Sequence, residues 1–353
     1  MRVLVTGAAG FIGSAVCQQL YERGLDVVPV DALIAEAHPP SAVAPDRVHR
    51  LDVRDAARLQ QVMDGVDLVC HQAAMVGAGA GAADLPRYAS HNDLGTATLL
   101  AVMAERGVDR LVLASSMVVY GEGRYRCLTH GLVEPRPRAE ADLQRGQFEV
   151  ICPRCGRELE RVLVEEDAPL RPRSAYAASK VAQEHYASAW TAQVGGRAVA
   201  LRYHNVYGPW MPPNSPYSGV AAIFRSALER GQPPEVFEDG RQTRDFVHVT
   251  DVAQANALAL ERVVDQPAGS FVAYNVCSGS PVTVLEMAAL LCNSMGDQLA
   301  GPVPTVSGRF RVSDVRHIVA SPARATVELG FSATVPPASG LRGFATAPLR
   351  ATM

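Results

Sequence analysis

The sequence predicts an α/β protein built on a doubly wound parallel sheet, with a smaller C-terminal lobe and one insertion. Three observations carry this expectation. Short β-branched runs alternate with amphipathic stretches through the first third, a glycine-rich turn joins the first run to the first helix, and the alternation breaks at 124–166 before resuming. At 353 residues the chain exceeds what one hydrophobic core usually serves. Two interleaved units are therefore expected, 1–200 and mainly 201–353.

The elements follow in order. Residues 3–6 read as the first strand, 15–23 as a helix, 27–31 as the second strand, 56–63 as a helix and 68–70 as a strand. A helix over 92–106 places Leu99, Leu100 and Met103 on one face, and a strand follows at 110–114. The 124–166 stretch is charged and proline-bearing, with turns at Arg145-Gly146 and Cys155-Gly156 and no sustained apolar period. A helix over 175–194 and a strand over 199–203 resume the rhythm.

Composition excludes several function classes. Hydrophobic residues make up 48% and the mean hydropathy is +0.04, so the chain can bury a large core. The 33 basic and 36 acidic residues give a charge of −3, and the basic ones are scattered, which predicts neither nucleic-acid nor membrane-surface binding. No apolar run approaches the roughly 20 residues of a membrane span, and the first strand begins at the N-terminus, so a cytoplasmic location is expected. Seven cysteines in a chain this long point to buried thiols or metal ligands rather than a disulfide framework. Among the 33 basic residues only Lys180 is lysine, which singles it out where guanidinium does not substitute.

Gly7, Gly10 and Gly13 follow the first strand and open a helix at Phe11 and Ile12. Glycine there permits a tight turn, a close approach of backbone N–H groups to a pyrophosphate, and a helix N-terminus that favours the anion. Asp31 ends the second strand 18 residues after Gly13, where a carboxylate can accept hydrogen bonds from the adenosine ribose. No arginine follows it, since Ala32-Leu33-Ile34 are apolar. The pair selects NAD over NADP and makes the sheet Rossmann-like.

Tyr176 and Lys180 lie four residues apart on one helix face, so an ammonium is expected to lower the phenol's pKa and make it a proton acceptor. Ser116, at a strand end on the ligand-binding edge of the sheet, can hydrogen-bond the reacting oxygen.

These motifs resemble the extended short-chain dehydrogenase/reductase family, in particular its nucleotide-sugar epimerases and dehydratases. Thr6-Gly7-x-x-Gly10-x-x-Gly13, Asp52-Val53, His71-x-Ala73-Ala74, Asn92-x-x-Gly95-Thr96, Ser115-Ser116, Tyr176-x-x-x-Lys180 and Leu201-Arg202-Tyr203-x-Asn205-Val206-Tyr207-Gly208-Pro209 occur in the family's order. The resemblance implies that Asp52 and Val53 contact adenine, that Ala73, Ala74 and Asn92 belong to the cofactor site, and that Lys180 also holds the nicotinamide ribose. It implies that Asn205 touches the diphosphate of a nucleotide-diphosphate sugar, with Arg244 and Arg316 as guanidinium clamps. It further implies a homodimer paired through the helices at 92–106 and 175–194.

A dehydratase of this kind carries an Asp-Glu pair directly after the serine, whereas Met117 and Val118 stand here and neither moves a proton. Transient oxidation to a 4-keto sugar with tightly bound NAD, hence 4-epimerisation, is the expected activity. A dehydrogenase or reductase on the same fold and a non-catalytic NAD-binding regulator remain the alternatives.

Within the insertion, Cys127-x-x-His130 and Cys152-x-x-Cys155 form two close ligand pairs separated by 21 residues, as in a structural zinc knuckle. Such a site is expected to stabilise the insertion, which would shape or cover the sugar pocket. The insertion, taken with the 176–184 context, resembles the subgroup described as dTDP-L-rhamnose 4-epimerases. Cys17, Cys70, Cys277 and Cys292 sit in apolar surroundings and read as core thiols.

Overall fold

A seven-stranded parallel sheet forms the centre of the computed structural model, which describes residues 1–34, 38, 47–77, 81–213, 219–294 and 302–350. Along the chain come β1 (Arg2–Thr6), β2 (Asp26–Asp31), β3 (His49–Arg50), β4 (Leu68–His71) and β5 (Arg110–Ser116). The insertion carries β6 (Arg124–Cys127), β7 (Gly131–Val133) and β8 (Glu160–Val162). Then follow β9 (Arg197–Tyr203), β10 (Asn205–Tyr207), β11 (Glu235–Val236), β12 (Thr243–Arg244), β13 (Phe246–His248) and β14 (Ser270–Val276).

The central order is β14-β9-β5-β4-β1-β2-β3, so the chain winds outward in both directions from β1 and β4. The crevice where that direction reverses, at the carboxyl ends of the strands, is where such sheets bind ligands. Successive side chains of β1 point to opposite faces. Val3 and Val5 join a core with Val16, Leu20 and Val252, while Leu4 joins another with Leu99, Met103 and Trp190. Each face is thus covered by helices, as an all-parallel sheet requires.

Two elements depart from the periodic reading. The first helix spans Phe11–Glu22, starting directly off the glycine turn where no apolar repeat is yet visible. The helix expected over 92–106 is α-helical from Gly95 to Glu105 and is preceded by a wider turn, Ala89–Leu94, that carries Asn92 inward. After β10 the chain builds the smaller lobe around Tyr207, Phe224, Phe246, Leu291 and Phe344. It returns to the central sheet through the helix Val249–Val264 and β14. The insertion folds as an antiparallel β7-β6-β8 sheet.

The helix Ala175–Val194 is locked to the sheet by a buried ion pair. Arg202 on β9 donates to the Glu184 carboxylate at 3.0 and 2.7 Å and to the Tyr120 hydroxyl at 2.8 Å. The Ser115 hydroxyl donates to the same carboxylate at 2.5 Å. Removing one partner of such a pair leaves an uncompensated buried charge. Glu184→Ala should therefore lower the unfolding free energy by about 3–5 kcal/mol in urea titrations. A loss under about 1 kcal/mol, the range of exposed pairs, would contradict this role.

Candidate active site

The glycine turn is shaped by backbone packed on backbone. Gly7 has φ +68°, and a Cβ there would lie 2.7 Å from the Ala73 amide nitrogen. A Cβ on Gly13 would lie 2.0 Å from the Gly7 carbonyl oxygen, so no side chain fits. The helix Phe11–Glu22 that follows has no acidic residue in its first turn, leaving its N-terminus electropositive. Gly7, Gly10, Phe11, Ile12 and Gly13 all line one cleft, a cradle that fits a dinucleotide diphosphate.

Asp31 lies on the same wall, where its carboxylate accepts from the Ala9 N–H at 3.0 Å and the Leu33 N–H at 2.8 Å. Each oxygen keeps a lone pair for a ribose hydroxyl. Two neighbours here carry no local sequence signal. The buried His38 ring lies 3.6 Å from Asp31, and Arg350 reaches over the glycine turn to donate to the Ala9 carbonyl at 2.9 Å. Asp52, Val53, Ala73 and Ala74 also line the cleft. Asp52 accepts from the Arg54 guanidinium at 2.9 and 2.6 Å, which holds its carboxyl below the usual range.

Asn92 is not on the wall. It is fully buried, its amide bonding the Met75 N–H and carbonyl and the Ser179 hydroxyl at 2.8, 2.9 and 2.8 Å. It fixes the loop after β4 to the helix Ala175–Val194 and stands behind the cleft wall.

At the other end of the cleft Ser116, Tyr176 and Lys180 meet. Ser116 ends β5, and Tyr176 is the second residue of a helix capped by Ser174, whose hydroxyl accepts from the Ala177 N–H at 3.1 Å. The phenol neighbours the Ser116 hydroxyl, which favours its charged form. Lys180, one turn on, donates to the Ala114 carbonyl at 2.9 Å and lies 6.0 Å from the Tyr176 ring centre. The expectation that the ammonium lowers the phenol's pKa does not hold in this state. Burial pushes the phenol up to about 12, with only the Ser116 hydroxyl opposing, and pushes the ammonium down to about 7 against the pull of Glu184. Both residues line the cleft, where the amine can hold or release a proton near neutral pH.

The arginine clamps are also corrected. Arg316 has no exposed surface, and all five of its N–H bonds go to carboxylates: Glu149 twice, Asp239 twice and Glu238 once, at 2.5–3.2 Å. Arg244 spends its guanidinium on the carbonyls of Thr243, Val315 and Arg316. Neither lines the cleft. Asn205 does, beside Met117. So do Gly219 to Ala222, which open the helix Val220–Glu229. The carboxylates on the described wall are Asp31 and Asp52, both at the glycine-turn end. On that wall no acid stands beside Ser116.

The insertion brings Cys127, His130, Cys152 and Cys155 together, with ligand atoms all within 4.8 Å of one another. His130 Nδ1 lies 3.5 Å from the sulfurs of Cys127 and Cys152, and those of Cys127 and Cys155 are 3.7 Å apart. Tetrahedral zinc bonds require about 3.6 Å between nitrogen and sulfur and about 3.8 Å between sulfurs. The ligand set fits. None of the insertion's residues is on the cleft wall, so it does not cover the sugar end as expected. It backs the segment near Arg316, through Glu149 and through Arg138, which pairs with Glu238 at 2.8 Å. Cys17, Cys70, Cys277 and Cys292 are free and buried.

Residues 3–140 and 154–277 match the pattern of a family described as NAD dependent epimerase/dehydratase. The unmatched stretch between them lies inside the insertion. A dTDP-L-rhamnose 4-epimerase of Burkholderia thailandensis is 32% identical over 340 residues, which cover 94% of this chain and 90% of the relative. The UDP-glucose 4-epimerase of Thermus thermophilus in complex with NAD superposes with a TM-score of 0.76 at 31% identity, covering 98% of each chain. The UDP-glucose 4-epimerase of Thermotoga maritima with UDP-glucose gives 0.75 at 27%, covering 98% of this chain and 97% of that one.

Because Lys180 is the chain's only lysine, protein labelled with ¹³Cε-lysine should give a single side-chain resonance. In the cofactor-free protein it should titrate near 7 instead of the ordinary 10.5. The unfolded chain then binds the extra proton between these values, so this group's contribution to stability rises with pH from about 7 to 10.5. A midpoint above about 9 would show that the amine is not desolvated as placed.

Proposed function

The chain belongs to the NAD-dependent epimerase/dehydratase family, and from that premise we propose that it inverts C4 of a dTDP-linked 6-deoxyhexose, interconverting dTDP-L-rhamnose and dTDP-6-deoxy-L-talose. Its class is that of an NAD-dependent nucleotide-sugar 4-epimerase, as in the relatives above. The name of the Burkholderia relative supports the sugar. One observation carries the choice against elimination of water: Ser116, Tyr176 and Lys180 stand at a cleft end that has no carboxylic acid on its described wall.

NAD bound along the glycine turn supplies the carrier to which the C4 hydrogen is lent and from which it returns. The residues that would hold it are Gly7, Gly10, Phe11, Ile12 and Gly13 at the diphosphate, and Asp31 at the adenosine ribose. Asp52 and Val53 would meet adenine, Ala73 and Ala74 would flank the cleft, and Lys180 would reach the nicotinamide ribose. As the phenolate, a form that the positive charge of bound NAD would favour, Tyr176 takes the C4 hydroxyl proton, directly or through Ser116, as the alcohol becomes a ketone, and gives it back to the opposite configuration. Between the two events the ketone presents its other face. The nucleotide must therefore be held firmly and the hexose loosely. Asn205 and the N-terminus of the helix Val220–Glu229, both on the cleft wall, would hold the diphosphate without the two arginines.

We further propose that Cys127, His130, Cys152 and Cys155 hold a structural zinc ion, with no position left open for chemistry. Two copies are proposed to pair through the helices Gly95–Glu105 and Ala175–Val194, beside which Leu94 and Tyr186 are exposed.

Purified protein given dTDP-L-rhamnose without added cofactor should yield a mixture of C4 epimers with no net change in NADH absorbance. Tyr176→Phe should lower kcat by about 10²–10⁴-fold while bound NAD is retained. Net NADH formation would assign a dehydrogenase instead, and tight NAD binding with no turnover on any nucleotide sugar would leave a regulator. Metal analysis of protein prepared without chelator should find one zinc per chain, lost in Cys152→Ser together with heat stability of the insertion. Wild-type protein free of zinc would remove the metal assignment.

A further inference from the structure

His204 is used by nothing described so far. It follows Tyr203, the β9 residue paired with Ser116 on β5, and precedes Asn205, so it emerges at the sheet edge beside the catalytic group. The residue lines the cleft yet is 4% exposed, with both ring nitrogens shut off from solvent. Among the described residues neither ring nitrogen has a hydrogen-bond partner. Elsewhere buried histidines are satisfied: His71 bonds Thr6 and Thr96, and His317 bonds Thr243 and Glu149. A buried polar ring without partners is a standing cost to the fold. A substrate hydroxyl recovers that cost only if it is delivered to this point of the cleft.

We infer that His204 is a sugar-specificity residue, its imidazole bonding a hydroxyl of the hexose next to the reacting carbon. This rests on the nucleotide-sugar epimerase reading above. A neutral imidazole has one donor and one acceptor, and so suits a hydroxyl, which is both. Burial, with the nearby Arg244 charge, pushes the ring down to about 3, so it stays neutral throughout the physiological range. The cleft lining also includes the apolar residues Phe11, Val206, Met211, Val220 and Phe246. One uncharged polar contact in that lining discriminates sugars by the presence of the hydroxyl it meets, because the analogue lacking it leaves the ring unpaired again. It also leaves the rest of the hexose free to turn over.

The test uses the NAD-loaded enzyme as wild type, His204→Phe and His204→Asn. Affinities for dTDP and dTDP-L-rhamnose are measured by calorimetry, with kcat and KM beside them. For His204→Phe the sugar-dependent gain in affinity over dTDP alone should fall by about 10- to 100-fold. Affinity for dTDP and NAD content should stay within twofold, and thermal stability should hold or rise, since two unpaired nitrogens are removed. His204→Asn, which keeps a donor and an acceptor, should recover part of the gain. If His204→Phe loses stability and dTDP affinity as much as sugar affinity, the ring is structural and the inference is overturned. It is equally overturned if the sugar-dependent gain is unchanged, or absent in the wild type. A wild type that binds the sugar with that gain but does not epimerise it would fail the epimerase reading alone, with the variant still deciding the role of His204.

Discussion

The site depends on burying the polar face of one helix. Tyr176, Ser179, Lys180, Gln183 and Glu184 follow each other at spacings of three and four along Ala175–Val194 and all turn inward. Each needs a partner, because an unpaired polar group costs free energy inside the molecule. The partners are fixed points: the Ser116 hydroxyl, Asn92, the Ala114 carbonyl, Thr96, and Arg202 with Ser115. The helix therefore has one axial setting on the sheet, and that setting places the phenol. The position of the phenol is a consequence of partnering this polar face, on which only the Gln183 Oε1 is left without a partner among the described residues.

The same network reaches the cofactor end. Gln183 donates to Thr96 at 2.6 Å, Thr96 bonds His71 at 3.0 Å, and His71 bonds Thr6 at 2.7 Å. Thr6 accepts from the Ala73 N–H at 3.1 Å, the residue against which Gly7 packs. Burial, then the Lys180 charge, pushes His71 down to about 3, so the link is made of neutral groups. A neutral link transmits position without storing charge.

What was legible in the sequence divides along this line. The glycine turn, Asp31, Ser116, Tyr176 and Lys180 could be read because each is dictated locally: a turn that admits no Cβ, a strand end, a helix spacing of four. The clustering of Cys127, His130, Cys152 and Cys155 could be read because each pair is close in sequence. Arg316 was misread. Its motif suggested a phosphate clamp, but its fate is set by Glu149, Glu238 and Asp239, two of which precede it by about eighty residues and one of which lies in the insertion. Arg350 and His38 were invisible for the same reason, since only tertiary structure carries them to the glycine turn. Asn92 was assigned to the right neighbourhood and the wrong layer, because a motif does not say which side of a wall a residue stands on.

The saturation of Arg316 bears on how a substrate is held. Glu149, Glu238 and Asp239 take up every N–H of Arg316, and Glu238 also pairs with Arg138. A diphosphate brought to this cluster would find no free guanidinium, and freeing Arg316 would leave its carboxylates without their partner. On the proposed reading the diphosphate is then anchored by uncharged groups, the Asn205 amide and the N–H groups opening the helix Val220–Glu229. These bind by direction rather than by charge. Such an anchor grips one orientation of the nucleotide while placing no strong field along the cleft toward the sugar. A hexose that must show both faces to one fixed phenol is better served by that arrangement than by a pair of arginines, which would hold whichever face arrived first.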